Sequence, residues 1–250
     1  MSFFTKRNRS YKYYLRKAHR YLGVILGVQF LFWTAGGLYF SWSDIDKIHG
    51  DHLIKAQPVL RGNISLVSPE IVLKAIKNKD ELDSLSSIRL INILQQPVYQ
   101  VHYYSGKNEK VVLADAGTGM LREPLSKEEA IRIAGSYFLP DAGVEKVEYL
   151  EATGKHHEYR GKPLPAWAVS YNYPGNPVLY IAASEGTFQN IRYRDWRIFD
   201  FLWMFHTMDY QERDRFGNIL LRTFSVFALV TVISGFVLYF ISYRRKKKEK

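Results

Sequence analysis

The sequence predicts a membrane α+β protein: a two-span transmembrane helical hairpin carrying an extracytoplasmic domain of two helix-plus-antiparallel-sheet repeats. Two apolar runs and one repeated order of signals lead to it. Residues 21–42, YLGVILGVQFLFWTAGGLYFSW, contain no Asp, Glu, Lys, Arg or His. At about 1.5 Å per residue a helix of that length covers about 33 Å, enough to cross a hydrocarbon core of about 30 Å. Residues 223–242 repeat the signal near the other end of the chain. Between the runs, a capped helix followed by alternating strands occurs twice.

Charge sets the expected orientation. Of the formal net charge of +11, Lys6, Arg7, Arg9, Lys12, Arg16, Lys17 and Arg20 bring +7 ahead of the first span; Arg244, Arg245, Lys246, Lys247, Lys248 and Lys250 against Glu249 bring +5 after the second, leaving the middle near −1. Basic residues beside span ends mark the cytoplasmic side. Both termini are therefore expected in the cytoplasm, touching anionic headgroups of the lipid bilayer, with residues 43–222 outside. Nucleic acid is not expected as a partner, because the basic residues do not form one face of a soluble domain. The first run is longer than the apolar core of a signal peptide and lacks a small-x-small cleavage site, so it is expected to be retained. Cysteine is absent, which excludes disulfides, iron–sulfur clusters and thiolate ligands. Any metal or haem must be held by His, Met, carboxylate or Tyr.

In chain order, residues 1–20 mix basic and aromatic side chains and read as a cytoplasmic interfacial segment. In the span 21–42, Gly23 and Gly27 form a small-xxx-small pair, and Ser234 and Gly235 lie in the span 223–242; such residues allow close helix packing in lipid. Antiparallel spans put Gly27 and Gly235 at matching depth and Gln29 level with Thr231–Ser234, which predicts an interhelical hydrogen bond for its amide. Neither span carries an ionisable group suited to a proton relay. Residues 43–65 form a connector. Ser68-Pro69-Glu70 and Ser126-Lys127-Glu128-Glu129 are helix starts that open two repeats, 66–125 and 126–195, each a helix plus an antiparallel three-stranded sheet. Their aromatic strands align at an offset of 68 residues, and the turns Asp115-Ala116-Gly117-Thr118-Gly119 and Ser184-Glu185-Gly186-Thr187 at 69. Residues 196–222 open with an interfacial amphipathic segment, WRIFDFLWMF, nearly encircled by apolar side chains, and 243–250 form the basic tail.

The order of parts resembles the PepSY-associated transmembrane family. The resemblance rests on Lys17-Ala18-His19-Arg20-Tyr21-Leu22-Gly23 at the first span, Phe205-His206-Thr207 before the last, Ser234-Gly235-Phe236-Val237-Leu238 within it, and the D-x-G-T-G turn of the first repeat. It implies a periplasmic domain on the bacterial cytoplasmic (inner) membrane and a binding or accessory role linked to metal, iron or haem handling. Larger relatives carry more spans and are linked with reduction of iron-siderophores and with haem. The family also suggests haem ligation for His19 and, more remotely, restraint of a secreted peptidase.

Read from the residues, the candidates for chemistry are few. His49 and His52, three apart in IHGDH, and His206 in Met204-Phe205-His206-Thr207-Met208 belong on the outer side. They are candidate ligands for copper, iron or haem, since thioethers suit Cu(I); a hydrogen-bonded interfacial anchor is the simpler reading of His206. His19 and His206, on opposite sides of the bilayer, cannot ligate one iron within a single chain, and His19 reads more simply as a headgroup-boundary residue beside Arg16, Arg20 and Tyr21. His102, His156 and His157 are expected to be solvated or satisfied. No catalytic motif occurs: no G-x-S-x-G, H-E-x-x-H, P-loop or dinucleotide fingerprint. A protein partner or a homo-oligomer remains open.

Overall fold

The structure, a computed structural model, describes residues 11–56, 59–60, 62–211, 213 and 215–248. Lys6, Arg7, Arg9, Glu249 and Lys250 of the basic flanks lie outside the described residues. In chain order the elements are α1 (Tyr11–Trp42), α2 (Ile45–His49), a single 3-10 turn (Asp51–Leu53), α3 (Pro69–Lys79), β1 (Ser84–Ile93), β2 (Gln96–Ser105), β3 (Asn108–Asp115) and β4 (Leu121–Arg122). They continue as α4 (Lys127–Tyr137), β5 (Val144–Leu150), β6 (Ala166–Tyr171), β7 (Val178–Ala182), β8 (Thr187–Arg192), α5 (Arg194–Thr207) and α6 (Ile219–Lys248). The chain divides into a helical unit, 1–43 with 199–250, and an α+β unit, 44–198.

In the helical unit, α1 and α6 are long and apolar enough to cross a membrane, over Tyr13–Trp42 and Ile219–Ile241. Only 17% and 6% of their most apolar windows is buried within the protein, unlike the core helix of a soluble domain. The helices that carry the two runs extend beyond them: the candidate spans start at Tyr13 and Ile219, ahead of the uncharged runs that start at 21 and 223. At the latter, Asn218 caps α6: its Oδ1 accepts from Leu221 N at 2.7 Å.

The α+β unit holds two four-stranded antiparallel meanders in sequence order, β1-β2-β3-β4 and β5-β6-β7-β8. The helix before each starts as its cap dictates. Ser68 Oγ accepts from Glu70 N at 3.3 Å with Pro69 in the first turn, and Ser126 with Glu129 forms a reciprocal capping box. Val72 and Ile76 of α3 bury against Tyr99, Val101, Tyr103 and Ala114 of the first sheet, the period-2 face that alternation marks. Each sheet has one strand more than the three expected, because the turn after the third strand feeds β4 or β8. The turn at Asp115 is tight, as expected: Oδ1 accepts from Gly117 N at 3.0 Å and Thr118 N at 2.7 Å.

Contacts at the β7–β8 turn and at Leu125 join the repeats; Leu125 N donates to Ala183 O at 2.9 Å and its carbonyl accepts from Trp167 Nε1 at 2.8 Å. Gln100, on the face of β2 away from α3, donates to Glu185 O at 2.7 Å. Gly186 turns at φ +70°, and a Cβ there would come within 2.5 Å of Ile93 Cδ1, so glycine alone lets the β7–β8 turn seat on the first sheet. The repeats differ in one connection. Leu94 and Gln95 join β1 to β2, whereas residues 151–165 join β5 to β6 and bury Tyr159 against Ala166, Ala168 and Tyr180.

Candidate functional site

Gln29 and His19 fix the register of the helical unit. Gln29 donates through Nε2 to Phe205 O at 2.8 Å, and Trp33 through Nε1 to His206 O at 3.0 Å. Phe40 meets Phe199 at 4.9 Å and Trp203 at 5.8 Å between ring centroids. Thus α5 runs antiparallel to α1 along one face of its second half. Lower on α1, Ser234 Oγ donates to Thr231 O at 2.8 Å, so His19 donates through Nδ1 to Ser234 Oγ at 2.7 Å. Asn218 Nδ2 donates to Thr207 O at 2.9 Å, which sets the start of α6 near Trp33 and makes α6 antiparallel to α1 as well.

These bonds correct two expectations. Gln29 is satisfied by the α5 backbone and not by Thr231–Ser234, because α5 occupies that side of α1. Gly27 does not pack on Gly235: a Cβ at Gly23 or Gly27 would meet nothing within 4 Å, whereas one at Gly235 would lie 3.3 Å from His19 Cε1. The small residue on α6 makes room for an imidazole, not for a glycine.

His206 stacks on Trp203 at 6.0 Å and meets Phe40 edge-on at 5.7 Å. It is an anchor through its rings and its carbonyl; Nδ1 is buried with no partner among the described residues, so the expected side-chain hydrogen bond is not the means. Met208 is buried at φ +52°, and the carbonyl of Met204 accepts from Thr207 Oγ1 at 3.4 Å. In the α+β unit, His49 ends α2 and His52 lies in the 3-10 turn with its ring 5.7 Å from Tyr193. Gly50 between them is the left-handed cap of α2, pressed on Ile191, so IHGDH is a helix stop. Among the described residues no three of His, Asp or Glu gather as a metal group.

Family models, curated proteins and solved structures give no match to this chain. Its site chemistry therefore rests on its own geometry.

Two clusters in the α+β unit escaped the sequence reading. Glu158 receives Arg197 Nε at 2.7 Å and Nη2 at 3.0 Å, and Tyr180 OH at 2.8 Å. Burial pushes its carboxyl up, but the guanidinium bonds prevail and hold it below the usual range. Tyr159 stacks on Tyr180 at 4.7 Å, and Arg192 lies 3.9 Å over the Trp196 ring. Together they clamp residues 151–165 onto the second sheet. His157 is satisfied there, accepting at Nδ1 from Tyr159 N at 3.0 Å. In the first repeat Asp80 accepts from Lys110 Nζ at 2.6 Å and Tyr103 OH at 2.8 Å. Those bonds hold its carboxyl down at about 2, while burial and Asp80 push Tyr103 up to about 12. The one legible hint was the isolated Arg197 and Asp200 in an aromatic run: a charge there needs a partner, and these find Glu158 and Arg213.

Open space occurs between the two repeats, in a cleft of about 180 Å3 bounded by the β1–β2 turn, α4 and Gly186. Its rim carries Arg132, Gln95 and Asn92 over a floor including Ile133.

Proposed function

We propose that this protein is a membrane-anchored binding or accessory module of the PepSY type. In this reading α1 and α6 hold it in a bacterial cytoplasmic membrane, both termini are cytoplasmic, and the α+β unit works on the periplasmic side, holding a ligand or partner protein for metal, iron or haem handling. The observation that carries it is the polar-rimmed cleft between two like repeats, since ligand sites favour the junctions of domains. The ionised clusters at Glu158 and Asp80 are committed to internal hydrogen bonds, as expected of a scaffold.

A haem- or copper-binding redox role is the second reading, favoured by the side-chain nitrogens. His206 Nδ1 is buried without a described partner, and His19 donates through Nδ1 to Ser234, the kind of second hydrogen bond that orients ligating imidazoles. An absorption spectrum with elemental analysis of the detergent-purified protein separates the two. The binding-module reading expects a colourless, metal-free preparation whose melting temperature is indifferent to His49→Ala. A Soret band or stoichiometric copper or iron, lost on His206→Ala or His19→Ala, would replace it by the redox reading. Restraint of a peptidase is a weaker third reading, tested by adding the protein to periplasmic proteases.

A further inference from the structure

We propose that the inter-repeat cleft is a carboxylate-binding site that takes a short ligand end bearing an apolar group. This rests on the reading of the α+β unit as a binding module and names what it binds. Arg132 projects from the exposed face of α4, and no carboxylate lies within 4 Å of it among the described residues. A second cleft, beside Asp80, has both of its lining cations, Lys79 and Arg122, paired with Glu123 and Glu129. A guanidinium fork left open beside an apolar floor is suited to a carboxylate, which it grips bidentately. Ile133 and Leu94 supply the apolar contact, and Gln95 a second donor.

The turn that brings Leu94 and Gln95 to the cleft is held against its preference. Leu94 has φ +52° and Gln95 φ +68°, a conformation that two-residue hairpins usually give to Asn-Gly. Asn92 holds it by accepting from Gln95 N at 2.8 Å. Strain of this kind gathers at ligand clamps, and here it aims two side chains that a relaxed Asn-Gly turn would lack. The volume, about 180 Å3, has room for a chain end or a small acid.

The test is calorimetric titration of the full-length protein in detergent with trialanine, its C-terminal amide, and sodium acetate as competitor. Trialanine is expected to bind; amidation and Arg132→Ala each weaken it about tenfold or more, the scale of one lost charge-assisted contact. Leu94→Asn with Gln95→Gly is expected to raise the melting temperature while weakening trialanine about fivefold or more. Acetate that displaces trialanine at equal concentration points to small free acids as the source, and failure to displace points to peptide ends. Equal binding of acid and amide, no binding of either, or an unaffected Arg132→Ala protein overturns the site. Such a failure leaves the binding-module reading standing, because that reading falls only on the spectroscopic result above.

Discussion

Replacing Glu158 by Gln tests whether the long β5–β6 loop is clamped by charge. Glu158 takes three short bonds, from Arg197 Nε at 2.7 Å, Arg197 Nη2 at 3.0 Å and Tyr180 OH at 2.8 Å. Breaking a fully buried pair costs about 3–5 kcal/mol, but these side chains are 20% and 36% exposed, and glutamine keeps one acceptor oxygen. Solvent screening brings the expected loss to about 1–2 kcal/mol. Trypsin reads it directly at Arg160, next to the fully buried Tyr159: when opening is in fast equilibrium, cleavage there should rise about 5- to 30-fold. The sign of the pH effect follows from the lowered carboxyl. The clamp is complete above the unfolded carboxylate value, about 4.3, and is lost as pH falls through the lower folded value. Wild type and Glu158→Gln should therefore converge in acid, where melting followed by circular dichroism replaces trypsin as the readout. Equal cleavage at pH 7, or a difference in melting temperature that persists undiminished into acid, refutes the charge clamp.

Substitutions at Asp80 and at three glycines extend the same reasoning. Asp80→Asn should flatten the acid limb of stability between about pH 4 and 2, because Asp80 is held at about 2 when folded and its contribution is lost through that window; circular dichroism against pH reads it. Gly186→Ala should lower the melting temperature by about 4–8 °C, since left-handed backbone costs an alanine about 1–2 kcal/mol and its Cβ meets Ile93 at 2.5 Å. Gly27→Ala should be neutral or stabilising by up to about 1 kcal/mol, whereas Gly235→Leu should displace His19 from Ser234, visible in the 15N shifts of its imidazole.

Local signals were legible because their physics is local. Ser68 and Ser126 each cap the helix they introduce, and Asp115 satisfies the amides of its own turn. Apolar length marked α1 and α6. The missed features all depend on partners far along the chain. Gln29 has an amide that any polar group at its depth can satisfy, and nothing near residue 29 says that the partner is Phe205 O, 176 positions away. Gly27 and Gly235 look alike in sequence, yet one faces open space and the other an imidazole. The cleft was invisible for the same reason: Arg132, Gln95 and Gly186 meet only once both meanders are folded and seated on one another.

The register of the helical unit reassigns membrane depth. With His19 beside Ser234 and Asn218 beside Thr207, the start of α6 lies level with the Trp33 turn, and Tyr21 lies level with about Thr231. The uncharged runs 21–42 and 223–242 are therefore staggered by several residues and cannot both be centred in one bilayer, although the longer candidate span Tyr13–Trp42 runs alongside nearly all of Ile219–Ile241. Exposed aromatics decide between them. Phe236 and Phe240 of α6 are 62% and 59% exposed; centring on α1 would put Phe236 about 7 Å outside the hydrocarbon core. The second half of α1 instead packs one face on α5, whose aromatics suit the headgroup layer. Centring on α6 puts His19 inside one leaflet, where its bond to Ser234 is required and Arg16 and Arg20 reach the headgroups along their stems. Because the chain has no cysteine, spin labels at Leu38→Cys and Phe236→Cys read this in liposomes. The Phe236 label should be reached by oxygen and the Leu38 label by a water-soluble nickel chelate; the reverse pattern centres the bilayer on 21–42 and returns His19 to the aqueous boundary.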